Sequence, residues 1–326
     1  MPTSKFSPNA VPDLNGKVYL VTGGNAGMQA QRGKSTVVGL AKRGAKVYIG
    51  SRNESKALAA ADEIQKLIPT ANILFLQLDL GSFESVIAAA QKIRQNETEL
   101  HGLVNNAGIM GVPYSKTTDG YELQFQTNYL SHWLLTYHLL PLLASTATAT
   151  GPGVVRIVNV TSDGHSMFPP KEGINFEDIG LESSSAMTRY GQSKLANILH
   201  AKELHRRYGP KLEDVDPESG EVWVAAVHPG HIDTDLNRQA TTSSPAIVLR
   251  AFTSIGRCVG ILDKVENGSL SSIFAIASDD FKRADSGSYV VPYAKIGQPS
   301  KLARDEDLAS KLWAWTADQF REKGLL

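Results

Sequence analysis

The sequence predicts an α/β fold, a doubly wound parallel sheet with helices on both faces. Up to about residue 228, short β-branched runs alternate with longer amphipathic stretches, the pattern of repeated βαβ units. The runs are apolar almost throughout, as strands buried on both faces are. A glycine-rich turn follows the first run, where such a sheet hands over from strand to helix.

Taken in order, strands are predicted at 18–22, 46–50, 73–77, 102–105, 154–160 and 222–227, with a last short one at 288–291. Helical spacing of apolar residues predicts helices over 54–67, 83–95, 121–143 and 190–208. Crossovers of one hand between the parallel strands wind the sheet in both directions. The chain reads as one domain over 1–326, with an amino-terminal arm at 1–15. Two segments break the rhythm. Residues 237–262 are Ser/Thr-rich and then apolar, the composition of a substrate lid, and 294–326 form a carboxyl-terminal tail. The tail holds a helix over 305–321 with Trp313 and Trp315 on different faces, a clamp across the surface.

Composition narrows the function classes. Lys plus Arg and Asp plus Glu balance at 33 each, so no global charge draws the chain to nucleic acid or an acidic membrane. Cys258 is alone and has no internal disulfide partner. The first residues hold no apolar export segment, and no run approaches the roughly 18 apolar residues of a membrane span. The expectation is a cytoplasmic protein without a transmembrane segment, at most resting on a membrane surface. No metal site is predicted.

The turn Thr22-Gly23-Gly24-Asn25-Ala26-Gly27 sits where helix amides attract phosphate. Gly33-Lys34-Ser35 resembles the end of a P-loop, but Gly27 lies one residue too far from Gly33 and Met28 stands where glycine belongs. The second strand runs into Ser51-Arg52 with no carboxylate for ribose hydroxyls, which favours NADP over NAD through Arg52. The alternative is a solvated arginine opening a helix. Asp79 is open to two readings, an adenine contact or a helix cap.

At the other end of the pattern, Tyr190 and Lys194 lie four apart on one helix face. Ser162 ends the fifth strand, Asn105-Asn106-Ala107-Gly108 ends the fourth, and Asn128 lies on the long helix after it. Strand ends are where doubly wound sheets hold ligands.

The ordered segments TGGNAG, NNAG, QTNYLSH, NVTSDGH, YGQSK and HPGHIDT resemble the short-chain dehydrogenase/reductase family, in particular its retinol-dehydrogenase-like and WW-domain-oxidoreductase-like branches. The resemblance runs from Lys17 to about Thr234 and implies a Rossmann-type domain with a catalytic tetrad of Asn128, Ser162, Tyr190 and Lys194. Tyr190 would be the acid/base, with Lys194 lowering its pKa. Ser162 would orient the substrate oxygen, and Asn128 would hold a water in a proton relay. It further implies a cofactor cradle of Gly23, Asn25, Ala26, Gly27 and Gly33, with Asp79 and Leu80 toward the adenine. Asn106, Ala107, Gly108, Tyr190 and Lys194 would line its middle, and Pro229, Gly230, Ile232 and Thr234 would border the nicotinamide. Ile247, Val248, Leu249 and Phe252 would face an apolar alcohol, ketone or aldehyde from the lid. Pairing through the long helices that carry Asn128 and Tyr190 would give a homodimer.

One departure stands out. Residues 29–32 are inserted relative to the family turn, and deleting them restores TGGNAGMGKST. An outward loop that leaves Gly33 at the helix entrance is the expected accommodation. If the insert disrupts cofactor binding instead, the chain is a non-catalytic nucleotide sensor or scaffold.

Overall fold

The computed structural model describes residues 6–7, 10–24, 32–211, 220–230 and 269–326. Eight strands form one sheet in the order β3-β2-β1-β4-β5-β6-β7-β8: β1 Val18–Thr22, β2 Lys46–Ser51, β3 Asn72–Gln77, β4 Gly102–Asn105, β5 Arg156–Val160, β6 Trp223–Val227, β7 Ser288–Val291 and β8 Lys295–Gly297. The first seven pair in parallel, from Val18 beside Lys46 to Val227 beside Val290. β1, β4, β5 and β6 are buried along their whole length, which explains their mostly apolar character.

β8 was not predicted. It pairs antiparallel with β7 through a turn in which Tyr293 and Ala294 adopt positive φ (65° and 56°). The usual markers of such a turn, glycine and asparagine, are missing from it.

Helices cover both faces: α1 Arg32–Ala41, α2 Glu54–Leu67, α3 Phe83–Asn96, α4 Ser131–Thr150, α5 Ala186–Tyr208, α6 Leu270–Ala277 and α7 Glu306–Glu322. Asn53, Ser82, Ser185 and Asp305 cap α2, α3, α5 and α7 by accepting backbone N–H bonds. The predicted helix over 121–143 divides. A short turn at Leu123–Phe125 leads into a π-helical turn at Gln126–Leu130 before α4 begins, and α4 runs on past Pro141 to Thr150.

One apolar cluster joins α3, α4, α5 and α7 to one face of the sheet, and a second joins α1, α2 and α6 to the other. Phe6, Val11 and Leu14 of the arm belong to the second cluster, Phe6 packing edge-on against Phe274 at 5.5 Å. The tail helix clamps α4 and α5 as expected. Trp313 packs on Trp133 at 4.9 Å, and Trp315 reaches Phe125 from another side at 6.4 Å. Part of the long-helix face expected to pair two copies is thereby covered within the chain. The expected lid, 237–262, lies outside the described residues.

Candidate active site

The strand order reverses between β1 and β4, and the crevice beyond their carboxyl ends is where such sheets take ligands. The Thr22 hydroxyl closes β1 by accepting from the N–H groups of Asn106 (2.9 Å) and Ala107 (3.0 Å), while Asn106 Nδ2 donates to the Thr22 carbonyl (2.8 Å). Gly23 follows at φ +68°, where a Cβ would lie 3.0 Å from Ala107. Gly33 enters α1 so tightly that a Cβ would lie 2.5 Å from the Gly23 carbonyl oxygen and 2.7 Å from Asn106 Nδ2. Gly33 therefore holds the helix entrance, as expected. Asn25, Ala26, Gly27 and residues 28–31 of the turn lie outside the described residues, as does the side chain of Arg32.

Thr22 also meets His132, with Nε2 2.8 Å from the hydroxyl oxygen. Nδ1 faces the Asn128 carbonyl, which can only accept, so the imidazole proton resides on Nδ1 and Nε2 accepts from the Thr22 hydroxyl, which also lies 3.4 Å from the Val104 carbonyl oxygen. Nδ1 then donates to the Asn128 carbonyl at 3.0 Å. Burial pushes the His132 pKa down to about 4, so the ring is neutral near pH 7. The sequence reading missed Thr22 and His132. The available signal was a histidine one turn beyond Asn128 in QTNYLSH.

Asn128 is fully buried in the π-helical turn, and both ends of its amide are committed. Oδ1 accepts from the Ile109 N–H (2.8 Å), and Nδ2 donates to the Ile109 carbonyl (3.0 Å) and Ser193 Oγ (2.9 Å). Lys194 rises from α5, its ammonium donating to the Val160 carbonyl at 3.2 Å. The two side chains converge on Gly108: a Cβ there would lie 3.0 Å from Asn128 Oδ1 and 3.3 Å from Lys194 Nζ. A larger residue there would press on both side chains.

Ser162 and Tyr190 converge in the same way on Gly164, whose Cβ would lie 3.0 Å from Ser162 Oγ and 3.0 Å from Tyr190 Cε1. Ser162 Oγ accepts from the Gly164 N–H (2.9 Å) and donates to Asp163 (3.3 Å). His165, also missed, secures the backbone beneath it. Its Nε2 accepts from the Ser300 N–H (3.1 Å), so the proton sits on Nδ1 and is donated to the Ser162 carbonyl (2.7 Å). Lys194 Nζ lies 5.7 Å from the Tyr190 ring centre. All four tetrad candidates thus gather at the carboxyl ends of β4 and β5.

The remaining candidates take varied positions. Arg52 is exposed just after β2, and Asn53, not Arg52, opens α2. Asp79 does not cap α3, a role held by Ser82. Its Oδ1 accepts from the Gly81 N–H (2.8 Å), and its own N–H donates to Ser85 Oγ (2.9 Å). Leu80 is buried, its carbonyl accepting from Ser131 Oγ (2.7 Å) at the start of α4. Lys34 pairs with Glu63 on α2, which removes it from any phosphate-binding role of the P-loop kind. Pro229 and Gly230 follow β6, Gly230 at φ +94°, whereas Ile232, Thr234, Ile247, Val248, Leu249 and Phe252 lie outside the described residues. Among the described residues no cluster has metal-ligating composition, and no helix is long and apolar enough to cross a membrane.

Several known proteins resemble this chain. The short chain dehydrogenase family profile matches residues 17–173. A short-chain dehydrogenase/reductase of Aspergillus calidoustus is 52% identical over 321 residues, covering 98% of each chain. Retinol dehydrogenase 12 of Mus musculus is 34% identical over 301 residues, 92% of this chain and 85% of the relative. Among solved structures, an uncharacterized protein from Mycobacterium paratuberculosis superposes with a TM-score of 0.70 at 28% identity, covering 98% of both chains.

Proposed function

The chain belongs to the short-chain dehydrogenase/reductase family and is an oxidoreductase, and from that premise we propose that it interconverts an apolar alcohol with its ketone or aldehyde, using NADP in preference to NAD. The observation that carries this reading is the double convergence, Asn128 with Lys194 on Gly108 and Ser162 with Tyr190 on Gly164. The nicotinamide cofactor supplies or accepts the hydride when bound.

The chain's own residues manage the proton and the oxygen. Tyr190 Oη gives its proton to the substrate oxygen during reduction and recovers it during oxidation. An ammonium near a phenol favours the phenolate, and Lys194 Nζ lies 5.7 Å from the Tyr190 ring centre. Ser162 Oγ donates to the same substrate oxygen and holds it in place. Asn128 keeps a proton route open behind Lys194, with its amide fixed by Ile109 and its carbonyl held by His132. The cradle fits a dinucleotide: Gly23 and Gly33 leave backbone room at the phosphate turn, and Gly108 does so beside Lys194. Arg52 is free to meet a 2′-phosphate from its exposed position. We take 1–326 as one domain, since both apolar clusters run across the same sheet. A scaffold reading, which rested on the insert, gains no support from Gly33, whose packing is retained.

Two measurements test the reading. Absorbance at the reduced-nicotinamide band, with a panel of apolar carbonyls and alcohols, should show turnover. Cofactor titration without turnover would favour the nucleotide sensor. NADPH should bind more tightly than NADH by roughly tenfold or more, the worth of a charge-assisted contact, and Arg52→Asp should reverse the order. Equal affinities in the parent would remove Arg52 from the site.

A further inference from the structure

At the opposite end of the sheet, roughly 13 Å down β5 from Val160, lies a cavity of about 180 Å³ lined by Tyr19, Arg156, Trp223, Ile276, Phe281 and Lys282, among others. Arg156 opens β5 and is 95% buried, yet it forms no ion pair among the described residues. Its Nε donates to the Gly153 carbonyl (2.8 Å), and Nη1 donates to the carbonyls of Ala275 (3.3 Å) and Ser278 (2.8 Å). The guanidinium carbon lies 5.2 Å from the Trp223 ring centre and 5.6 Å from that of Phe281. These contacts occupy three of its five N–H groups. Nη2 makes no hydrogen bond among the described residues, and it keeps some exposure. Tyr19 is 99% buried, and its hydroxyl likewise bonds to nothing among the described residues. Its ring is wedged over Gly102, where a Cβ would lie 2.3 Å away, so the phenol has little freedom to swing elsewhere.

The charge around the cavity is positive. Lys17, Arg156 and Lys282 line it against the single carboxylate of Asp279. The Lys282 ammonium donates to the Asp279 carbonyl, not its carboxylate (2.6 Å). Burial lowers the Arg156 pKa only to about 10, which leaves the cation intact near pH 7. A buried cation with unused donors is costly until an anion or ordered polar groups meet it.

We propose that this cavity binds a small organic monocarboxylate with an apolar body, its carboxylate held by Arg156 Nη2 and Tyr19 Oη. Two donors match the two oxygens of a carboxylate, whereas a phosphate dianion presents more acceptors than they satisfy. The walls contributed by Leu14, Ile276 and Trp223 suit an aromatic or aliphatic body. The space suffices, since an engineered cavity of about 150 Å³ holds benzene. The site is separate from Tyr190 and Lys194 and does not depend on the reaction they are assigned.

The test is calorimetric titration of the full chain with benzoate, benzyl alcohol and inorganic phosphate. Benzoate should bind with a dissociation constant of the order of 1 mM or tighter, benzyl alcohol should not bind measurably, and phosphate should bind more weakly than benzoate. Arg156→Met also frees three backbone carbonyls, so Tyr19→Phe is the diagnostic variant. It should weaken benzoate roughly tenfold with little change in melting temperature, and Lys282→Ala should weaken it less. Tyr190→Phe should leave benzoate binding unchanged. Absent benzoate binding, equal binding of benzyl alcohol, indifference to both Tyr19→Phe and Lys282→Ala, or loss in Tyr190→Phe would each overturn the proposal.

Discussion

Tyr190 and Lys194 stand one turn apart on α5, but their chemistry differs, and substitution should separate it. Tyr190→Phe removes one hydroxyl and keeps the ring against Gly164. Turnover should fall by about 10²- to 10⁴-fold, the usual worth of a positioned acid, while cofactor affinity stays nearly constant. Lys194→Ala removes the cation proposed to tune the phenol and also the group beside Gly108, so turnover and cofactor affinity should both fall. Single-turnover rates with direct cofactor titration read the two effects, and equal loss of affinity in both variants would refute this division. These residues were legible because strand-end position and i,i+4 spacing are local properties of the sequence. Thr22 and His132 were not. Their hydrogen bond spans 110 residues and exists only because β1 lies beside β4, an adjacency no local pattern displays. His165 was hidden for the same reason, since its partner is Ser300.

Elements differ in how plainly the sequence announces them. β1, β4 and β7 span their predicted residues, and so does α2, which Asn53 caps. The helix before α4 was read as continuous because apolar spacing does not distinguish an α turn from the π-helical turn at Gln126–Leu130. That turn carries Asn128, whose carbonyl is met by His132. β8 escaped notice because its turn uses Tyr293 and Ala294 at positive φ. The entrance to α1 supports a quantitative expectation. Gly33 keeps its contact with Gly23 and Asn106, so the helix start is in place and the inserted residues add length between Gly27 and Gly33. A pyrophosphate in the proposed cradle would be held by converging amides, each worth about 0.5 to 1.5 kcal/mol. Displacing two of them should cost roughly tenfold in affinity or more. Deleting 29–32 should therefore tighten cofactor binding by calorimetry. Weaker binding in both the deletion and Arg32→Ala would show that the insert has become part of the cradle.

Across the whole molecule, two buried rings and one helix set how the fold responds to acid and to truncation. Burial pushes His132 down to about 4 and His200 to about 3. Below about pH 6.5 the unfolded chain takes up protons that these rings refuse in the native state, so stability falls as pH drops toward 4. The urea midpoint should decline between pH 7 and pH 5, and a flat profile would mean that both rings protonate in place. The tail helix acts on a larger surface. α7 buries Leu312, Trp313, Thr316, Ala317 and Phe320 against the outer side of α4 and α5, and the Tyr129 hydroxyl is 2.7 Å from that of Thr316. Tyr121 donates to Gln319 (3.0 Å), and His138 donates to the Leu325 carbonyl (3.0 Å), so the clamp is polar at its margins and aromatic at its centre. Trp133 lies at that centre, between Trp313 at 4.9 Å and Phe320 at 5.4 Å. Trp313→Ala should cost about 3 to 5 kcal/mol, as large-to-small changes in a core do. Ending the chain at Arg304 would go further and uncover Phe125, Tyr129 and Trp133 together, an apolar patch of the size that drives association. Light scattering should then show the truncated chain at a higher mass than the full chain at equal concentration, with a lower melting temperature. An unchanged mass and melting temperature would mean that α4 and α5 are stable without their cover, and that α7 is an appendage to the fold.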